Sequence, residues 1–280
     1  ASYSCSMTLA GLKTTVPARM PVAICADVDI LRKAPLYLAL SGFGDMMGKY
    51  IALADWKLAA LLGDGSEPFD EEIAAGQLKA TALVKESAPL LATGDPEAYR
   101  QLIYGLVLSG IAMQQNGSSR PAAGAEHYIS HFMEMGGLGY PVDALHGEKV
   151  GVGTLMALAE YKRILQAGPA VFSAFPRPMP TEAAIRSQFG TLADSILQIN
   201  KECDPLAGVT REKLQQNWPH ISAILQELPD LDELTTLYKA IGAKGTMADL
   251  GNPTEAHDIA LRWSPCARTK LTLLRIAAQM

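Results

Sequence analysis

The sequence has little of what marks a membrane protein, a disulfide scaffold or a nucleic-acid binder. Only four of its 280 residues are cysteine (Cys5, Cys25, Cys203, Cys266), and no two form a Cys-x-x-Cys pair. That argues against a disulfide framework and a zinc ribbon and fits a reducing compartment, so a cytoplasmic location is expected. No run of about 18 apolar residues occurs, so no membrane span is expected. The opening Ala-Ser-Tyr-Ser-Cys-Ser-Met has no basic stretch and no long apolar one, unlike a signal peptide. It also has no initiator Met, so a cut or partial start is an expectation. Positive charge is not in excess: 24 Lys and Arg against 29 Asp and Glu give a net charge of −5. A general nucleic-acid partner needs a basic face and is not expected, whereas a small anionic substrate needs only a few local cations. Aromatic residues are scarce, at 6%, and histidines number five. Three of those five fall close together.

The chain is 49% hydrophobic and 19% charged, a balance that excludes intrinsic disorder. Its length allows one large domain or two ordinary ones. Residues 1–33 differ from the rest. Within Pro21–Asp27, the apolar run Val22–Cys25 reads as a short buried strand. Such a strand needs partners that the remaining sequence hardly supplies. From Ala34 the pattern is helical: Leu36–Leu62 (interrupted at Gly42-Phe-Gly44), Glu71–Leu91, Glu97–Gln115, Ala122–Met135, Gly147–Leu165, Glu182–Lys201, Arg211–Leu228, Leu231–Ile241, Thr254–Arg262 and Pro265–Ala278. Connections rich in Gly, Pro, Asp and Ser separate these runs. The expected fold class is mainly α, with an aliphatic, Ala- and Leu-packed body over 34–280.

Three segments could carry chemistry. In Glu126-His127-Tyr-Ile-Ser-His131 the two histidines are i and i+4, on one helix face, and His146 opens the next helical run. Neutral imidazole suits zinc, nickel or iron, although satisfied core or surface histidines are the commoner case. Tyr128 stands where a His-Glu-x-x-His metalloprotease would need Glu. In Ser41-Gly-Phe-Gly-Asp45 two glycines are read as a helix break that brings a carboxylate close to something; a glycine-bearing helix crossing with Asp45 as an N-cap is the alternative. Gly117-Ser-Ser-Arg120 is a polar turn entering the histidine helix, where Arg120 and a helix N-terminus could meet an anion. A solvated loop arginine is the plainer reading.

Taken in order, several stretches resemble the sn-glycerol-1-phosphate dehydrogenase family, within the iron-containing alcohol dehydrogenase and dehydroquinate synthase-like superfamily. They are Ala34-Pro35 with Ser41–Asp45, Lys49-Tyr50, Ala54-Asp-Trp-Lys-Leu58, Gly105–Gly110, Ser119-Arg-Pro-Ala-Ala-Gly-Ala-Glu-His127, His146-Gly-Glu-Lys-Val-Gly-Val-Gly-Thr154 and Arg268-Thr-Lys270-Leu-Thr272. The resemblance implies an oxidoreductase of phospholipid biosynthesis, with reversible NADH- or NADPH-dependent reduction of dihydroxyacetone phosphate to sn-glycerol 1-phosphate. It implies that Asp45, His127 and His146 hold one divalent metal, zinc or otherwise nickel or iron, as the catalytic set. His131 would lie just outside that set or face substrate, and Lys49, Arg120 and Lys149 would be the cations near the phosphate. It further implies a helical metal- and substrate-binding domain over 34–280, with 1–33 as the end of an α/β dinucleotide-binding domain that is mostly absent. No Gly-rich turn between strand and helix is present, so the chain alone is expected to bind metal without turnover. Ser2-Tyr-Ser4-Cys5 stands where the family has a Ser-x-Asp turn, with Ser4 at the Asp position. A glycerol or other polyol dehydrogenase acting on a non-phosphorylated substrate, or a non-catalytic helical domain, are the rival readings. A homo-oligomer is left open.

Overall fold

The computed structural model describes residues 4–280, with Ser4 and Cys5 described by their backbone alone. Ser2 and Tyr3 of the turn noted above lie outside the described residues. The chain begins with an antiparallel hairpin, β1 (Ser4–Leu9) and β2 (Leu12–Pro17), in which Leu9 pairs with Leu12 and Ser4 with Pro17. Its two-residue turn, Ala10-Gly11, has both residues at positive φ (49° and 83°), as a tight hairpin turn that follows strand twist requires. Val22–Cys25 is not a strand. Val22 and Ile24 are exposed, and among the described residues no strand pairs with this run.

Helices make up the rest: α1 (Val28–Leu31), α2 (Leu36–Leu62), α3 (Glu71–Ser87), α4 (Pro96–Asn116), α5 (Ala125–Glu134), α6 (His146–Ala167), α7 (Glu182–Phe189), α8 (Ala193–Glu202), α9 (Arg211–Gln216), α10 (Trp218–Gln226), α11 (Leu231–Ile241), α12 (Ala256–Trp263) and α13 (Leu273–Ala277). Their starts follow the capping chemistry of the sequence. Asp70, Asp95, Thr181, Thr210, Asp230 and Thr272 each accept N–H groups of the first turn, and Pro96 and Pro219 sit in first turns where no N–H is needed. Several runs read as single helices are not. Glu71–Leu91 passes into a 3-10 turn at Ala88. Pro265–Ala278 is α-helical only over Leu273–Ala277, because a 3-10 turn (Ser264–Ala267) and extended backbone at Arg268 precede it. Two others are split. Gly190, at φ 53°, divides α7 from α8, and Asn217 divides α9 from α10.

The helix break expected at Gly42–Gly44 does not occur: α2 is continuous over 27 residues and Asp45 lies in its interior, not at an N-cap. The glycines instead serve the contact between α2 and α6. A Cβ on Gly44 would run into the carbonyl of Gly147, and a Cβ on Gly147 into the carbonyl of Ser41. On the next turns, a Cβ on Gly48 would lie 3.0 Å from Glu126 Cγ, and one on Gly153 2.6 Å from the Glu126 carbonyl. Three helices, α2, α5 and α6, therefore meet at main-chain distance. Phe43, Met46, Met47 and Ile51 of α2, Ile129 and Phe132 of α5, and Tyr161 of α6 are fully buried around that contact. A glycine inside a helix costs about 1 kcal/mol relative to alanine, a penalty the dispersion contacts of such an approach offset.

The contact predicts opposite outcomes at two glycines. Gly147→Ala should lower the unfolding free energy in urea by about 1–3 kcal/mol or more through overpacking. Gly76→Ala, in α3 with nothing within 4 Å of the added carbon, should raise it by about 0.5–1 kcal/mol.

Candidate metal centre

The three-helix contact delivers three donors to one point. Asp45 follows Gly44 on α2, His127 is the third residue of α5, and His146 is the first of α6. One carboxylate oxygen and one ring nitrogen from each histidine lie within 4.8 Å of one another. His127 Nε2 is 3.4 Å from Asp45 Oδ1, which matches the roughly 3.4 Å separation of two ligands bonded at about 2.1 Å in tetrahedral geometry. The other nitrogens are engaged: Nδ1 of His127 is 2.7 Å from Glu126 Oε1, and Nδ1 of His146 is 2.8 Å from Glu134 Oε1. When each Nδ1–H donates to its carboxylate, each Nε2 lone pair is left for another partner. A lone pair facing the Asp45 carboxylate needs a proton or a cation between them. The residues present thus fit a divalent ion.

Lys49, one turn beyond Asp45, is buried with its Nζ 3.3 Å from Asp45 Oδ2 and 3.0 Å from the Ala122 carbonyl. Burial alone would raise the Asp45 carboxyl, but Lys49, then His127 and His146, hold it well below the usual carboxylate range. For His127 burial works downward, and the hydrogen bonds of Asp45 and Glu126 outweigh it. His131 is buried on the next turn with its ring centroid 5.9 Å from that of His127. Burial, then Arg268 and His127, hold His131 well below the ordinary imidazole value. Its Nδ1 has no hydrogen-bond partner. A cavity of about 680 Å³ opens beside these rings, and Lys13, Lys49, Arg268 and Lys270 contribute cations to its lining.

No protein-family model matches the chain. Among curated relatives, the glycerol-1-phosphate dehydrogenase, NAD(P)+, of Halalkalibacterium halodurans is 30% identical over 265 residues, 94% of this chain and 58% of that protein. Its namesake in Pyrococcus furiosus is 40% identical over 156 residues, 56% of this chain and 44% of that protein. The Geobacillus stearothermophilus protein of the same name is 29% identical over 263 residues. The chain is thus similar to glycerol-1-phosphate dehydrogenases along most of its own length. It spans about half the length of the curated relatives it matches.

Of the residues that the family resemblance singled out, Asp45, His127, His131, His146 and Lys49 meet at this cavity. Lys149 is set back, 3.8 Å from Glu134 Oε1 in a smaller adjoining cavity. Arg120 does not line the cavity. Its guanidinium is buried in a two-pronged pair with Glu67 and a 2.7 Å bond to the Leu271 carbonyl. Glu67 lies 53 residues away, beyond the reach of any local pattern. Lys270 does line the cavity. Its Nζ is 2.7 Å from Ser119 Oγ, and burial, then Arg120 and Arg268, bring it down to about 7.

Beneath the site lies a carboxylate that the sequence reading did not weigh. Asp55, on α2, is fully buried. Its Oδ1 accepts from Tyr161 O–H (2.7 Å) and Leu273 N–H (2.9 Å), and its Oδ2 from Ala125 N–H (2.8 Å). It thereby ties α2 to the starts of α5 and α13 and to the body of α6, satisfying helix-terminal donors that burial would leave orphaned. Burial pushes Asp55 up to about 7; the bonds from Tyr161 and Leu273 oppose the shift and the nearby Glu126 adds to it. A raised carboxyl favours the folded state below its unfolded value and loses that advantage as pH climbs to its folded value. Asp55→Asn mimics the protonated form. Its stability relative to wild type should therefore improve as pH rises from about 4 to about 7, by up to about 4 kcal/mol, in urea unfolding followed across that range. A constant difference would rule out the shift.

Proposed function

We propose that this chain is the metal- and substrate-binding part of an enzyme that uses NADH or NADPH to reduce dihydroxyacetone phosphate to sn-glycerol 1-phosphate. The observation that carries the reading is the convergence of Asp45, His127 and His146 beside a cavity lined by cations. The curated relatives, glycerol-1-phosphate dehydrogenases by name, supply the reaction. On this reading residues 34–280 are the helical domain of a dehydroquinate synthase-like fold, residues 1–33 belong to the edge of a dinucleotide-binding domain, and the enzyme works in the cytoplasm.

Asp45, His127 and His146 would hold one divalent ion, zinc, nickel or iron. Three protein ligands leave open positions, the pattern of a catalytic rather than a closed structural site. When bound, the ion supplies Lewis acidity at the substrate oxygen. Lys49 compensates the Asp45 charge and fixes its second oxygen. His131, neutral and with a free Nδ1, offers the substrate a hydrogen-bond partner. Lys270 and Arg268 face the same cavity and suit a phosphate: a dianion beside a depressed ammonium restores its proton and its charge. Among the described residues the only sheet is one antiparallel hairpin, so no strand leads through a glycine turn into a helix to cradle a dinucleotide. No step of hydride delivery is assigned to these residues.

Two measurements test this. Elemental analysis after zinc loading should find about one equivalent in wild type and little in His127→Ala or His146→Ala; equal tight content in all three would sink the ligand assignment. Calorimetric titration of the zinc-loaded chain should find dihydroxyacetone phosphate bound at least tenfold tighter than dihydroxyacetone, a contrast of about 1.4 kcal/mol that Lys270→Met should erase. Equal affinities would favour a polyol dehydrogenase of non-phosphorylated substrates. Binding of neither would favour a non-catalytic domain.

A further inference from the structure

The two histidines of the centre are held in different ways. His127 is set within its own helix: the neighbouring Glu126 takes its Nδ1, and Glu126 is fully buried and also accepts the Gly124 N–H at 2.8 Å. His146 has no such local support. Its side chain is 47% exposed, and the group on its Nδ1, Glu134, comes from the end of α5, twelve residues earlier. On the helical body Ser130 Oγ donates to Glu134 Oε1 at 3.4 Å and Lys149 Nζ lies 3.8 Å from the same oxygen; the other oxygen is held from outside that body. Glu134 Oε2 is 2.7 Å from Nζ of Lys13 on β2, with both side chains largely buried. The main chain at Lys13 is fastened as well, because Arg268 donates to its carbonyl at 2.6 Å and to Thr15 Oγ1 at 3.2 Å.

We propose that Glu134 and Lys13 are positioning residues for His146. Glu134 accepts the His146 Nδ1–H and leaves Nε2 as the metal donor. Lys13, carried in by the β1–β2 hairpin, holds Glu134 in place to do so. The seating of the hairpin on the helical body thereby sets the geometry of the most exposed ligand. The inference rests on the metal reading of Asp45, His127 and His146, and it adds that a segment outside the helices controls that centre. The chemistry is general: the ring nitrogen that binds a metal is chosen by the hydrogen bond the other nitrogen makes, and loss of such a partner typically weakens metal affinity tenfold to a hundredfold. What is particular to this chain is that the partner of one ligand is internal to its helix and the partner of the other is clamped by a hairpin lysine.

The experiment pairs the tautomer of His146, read from nitrogen-15 NMR of the metal-free chain at a pH where imidazole is ordinarily neutral, with zinc affinity from competition with a chelator. Wild type should show the Nδ1–H form at His146. Glu134→Ala should move His146 toward the Nε2–H form, leave the His127 resonances in place and weaken zinc binding by about 10- to 100-fold. Glu134→Gln keeps an acceptor oxygen and should retain the tautomer and most of the affinity. Lys13→Met should weaken zinc binding less than Glu134→Ala and add nothing in the Glu134→Ala background, since the two act through one route. Should Glu134→Ala fail to fold, Glu134→Gln and Lys13→Met still decide, because unchanged zinc affinity in Lys13→Met would overturn the role of the hairpin. An unaltered His146 tautomer in Glu134→Ala, or additive losses in the double variant, would overturn the proposal. A wild type that takes up no zinc would refute the metal reading instead, and the tautomer comparison would still decide the Glu134 contact.

Discussion

Everything at this site depends on main chain touching main chain. Where α2 crosses α6, the absence of Cβ atoms at Gly44 and Gly147 lets one helix rest on the carbonyls of the other. The donors are the sequence neighbours of those contacts: Asp45 follows Gly44, His146 precedes Gly147, and Glu126, which precedes His127, is the residue that Gly48 and Gly153 admit. Side chains of ordinary reach then meet within a few ångströms because their backbones are already close. Larger residues at these glycines would separate the helices, and the donors with them, even with Asp45, His127 and His146 unaltered.

The charges around this contact are arranged in opposed pairs. Lys49 answers Asp45, Lys13 and Lys149 answer Glu134, and Arg120 answers Glu67. Breaking such a pair by removing one partner is far more damaging than replacing both, because the remaining charge is left desolvated. Asp55 is treated differently. It has no cation, only three hydrogen-bond donors, and its carboxyl is correspondingly raised. Two carboxyls on one helix, one half-buried and one fully buried, are thus driven in opposite directions, Asp45 down by its cations and Asp55 up by burial.

Much of this was legible in the sequence, and the failures have identifiable causes. Helices with a regular apolar period and a capping Asp or Thr were found within a few residues, as with Leu231–Ile241. Gly42–Gly44 was misread because local propensity treats glycine as a breaker, whereas here its use is tertiary. The hairpin passed unnoticed because its strands are short and polar, its one signal being alternation around Ala10-Gly11. Val22–Cys25 looked like a strand because hydrophobicity alone cannot reveal the lack of a partner. At the site, the resemblance carried by several motifs in order pointed to Asp45, His127 and His146, residues that no single spacing would have joined and that the fold brings within 4.8 Å of one another. Glu134 and Lys13 carried no local mark, and nothing local marked Asp55 as a buried tie, since the contacts of Lys13 and Asp55 lie far off in the chain and only folding brings them together. Arg120 failed for the same reason, since its position suggested an anion but Glu67 reaches it first.

The contact between Gly44 and Gly147 also bears on how this architecture tolerates change. A site whose spacing is fixed by side-chain packing shifts whenever a packing residue is exchanged, because neighbouring volumes must readjust. Here the spacing is fixed by two helical backbones, whose dimensions are the same for every sequence that forms them. The solvent-facing residues of α2 and α6, and much of the aliphatic filling between the outer helices, are free to drift while the donor geometry persists. Apart from the donors and the buried polar groups that hold them, tolerance to change is lowest at a handful of positions with no side chain, and those glycines are a narrow passage through which altered forms of this protein must fit.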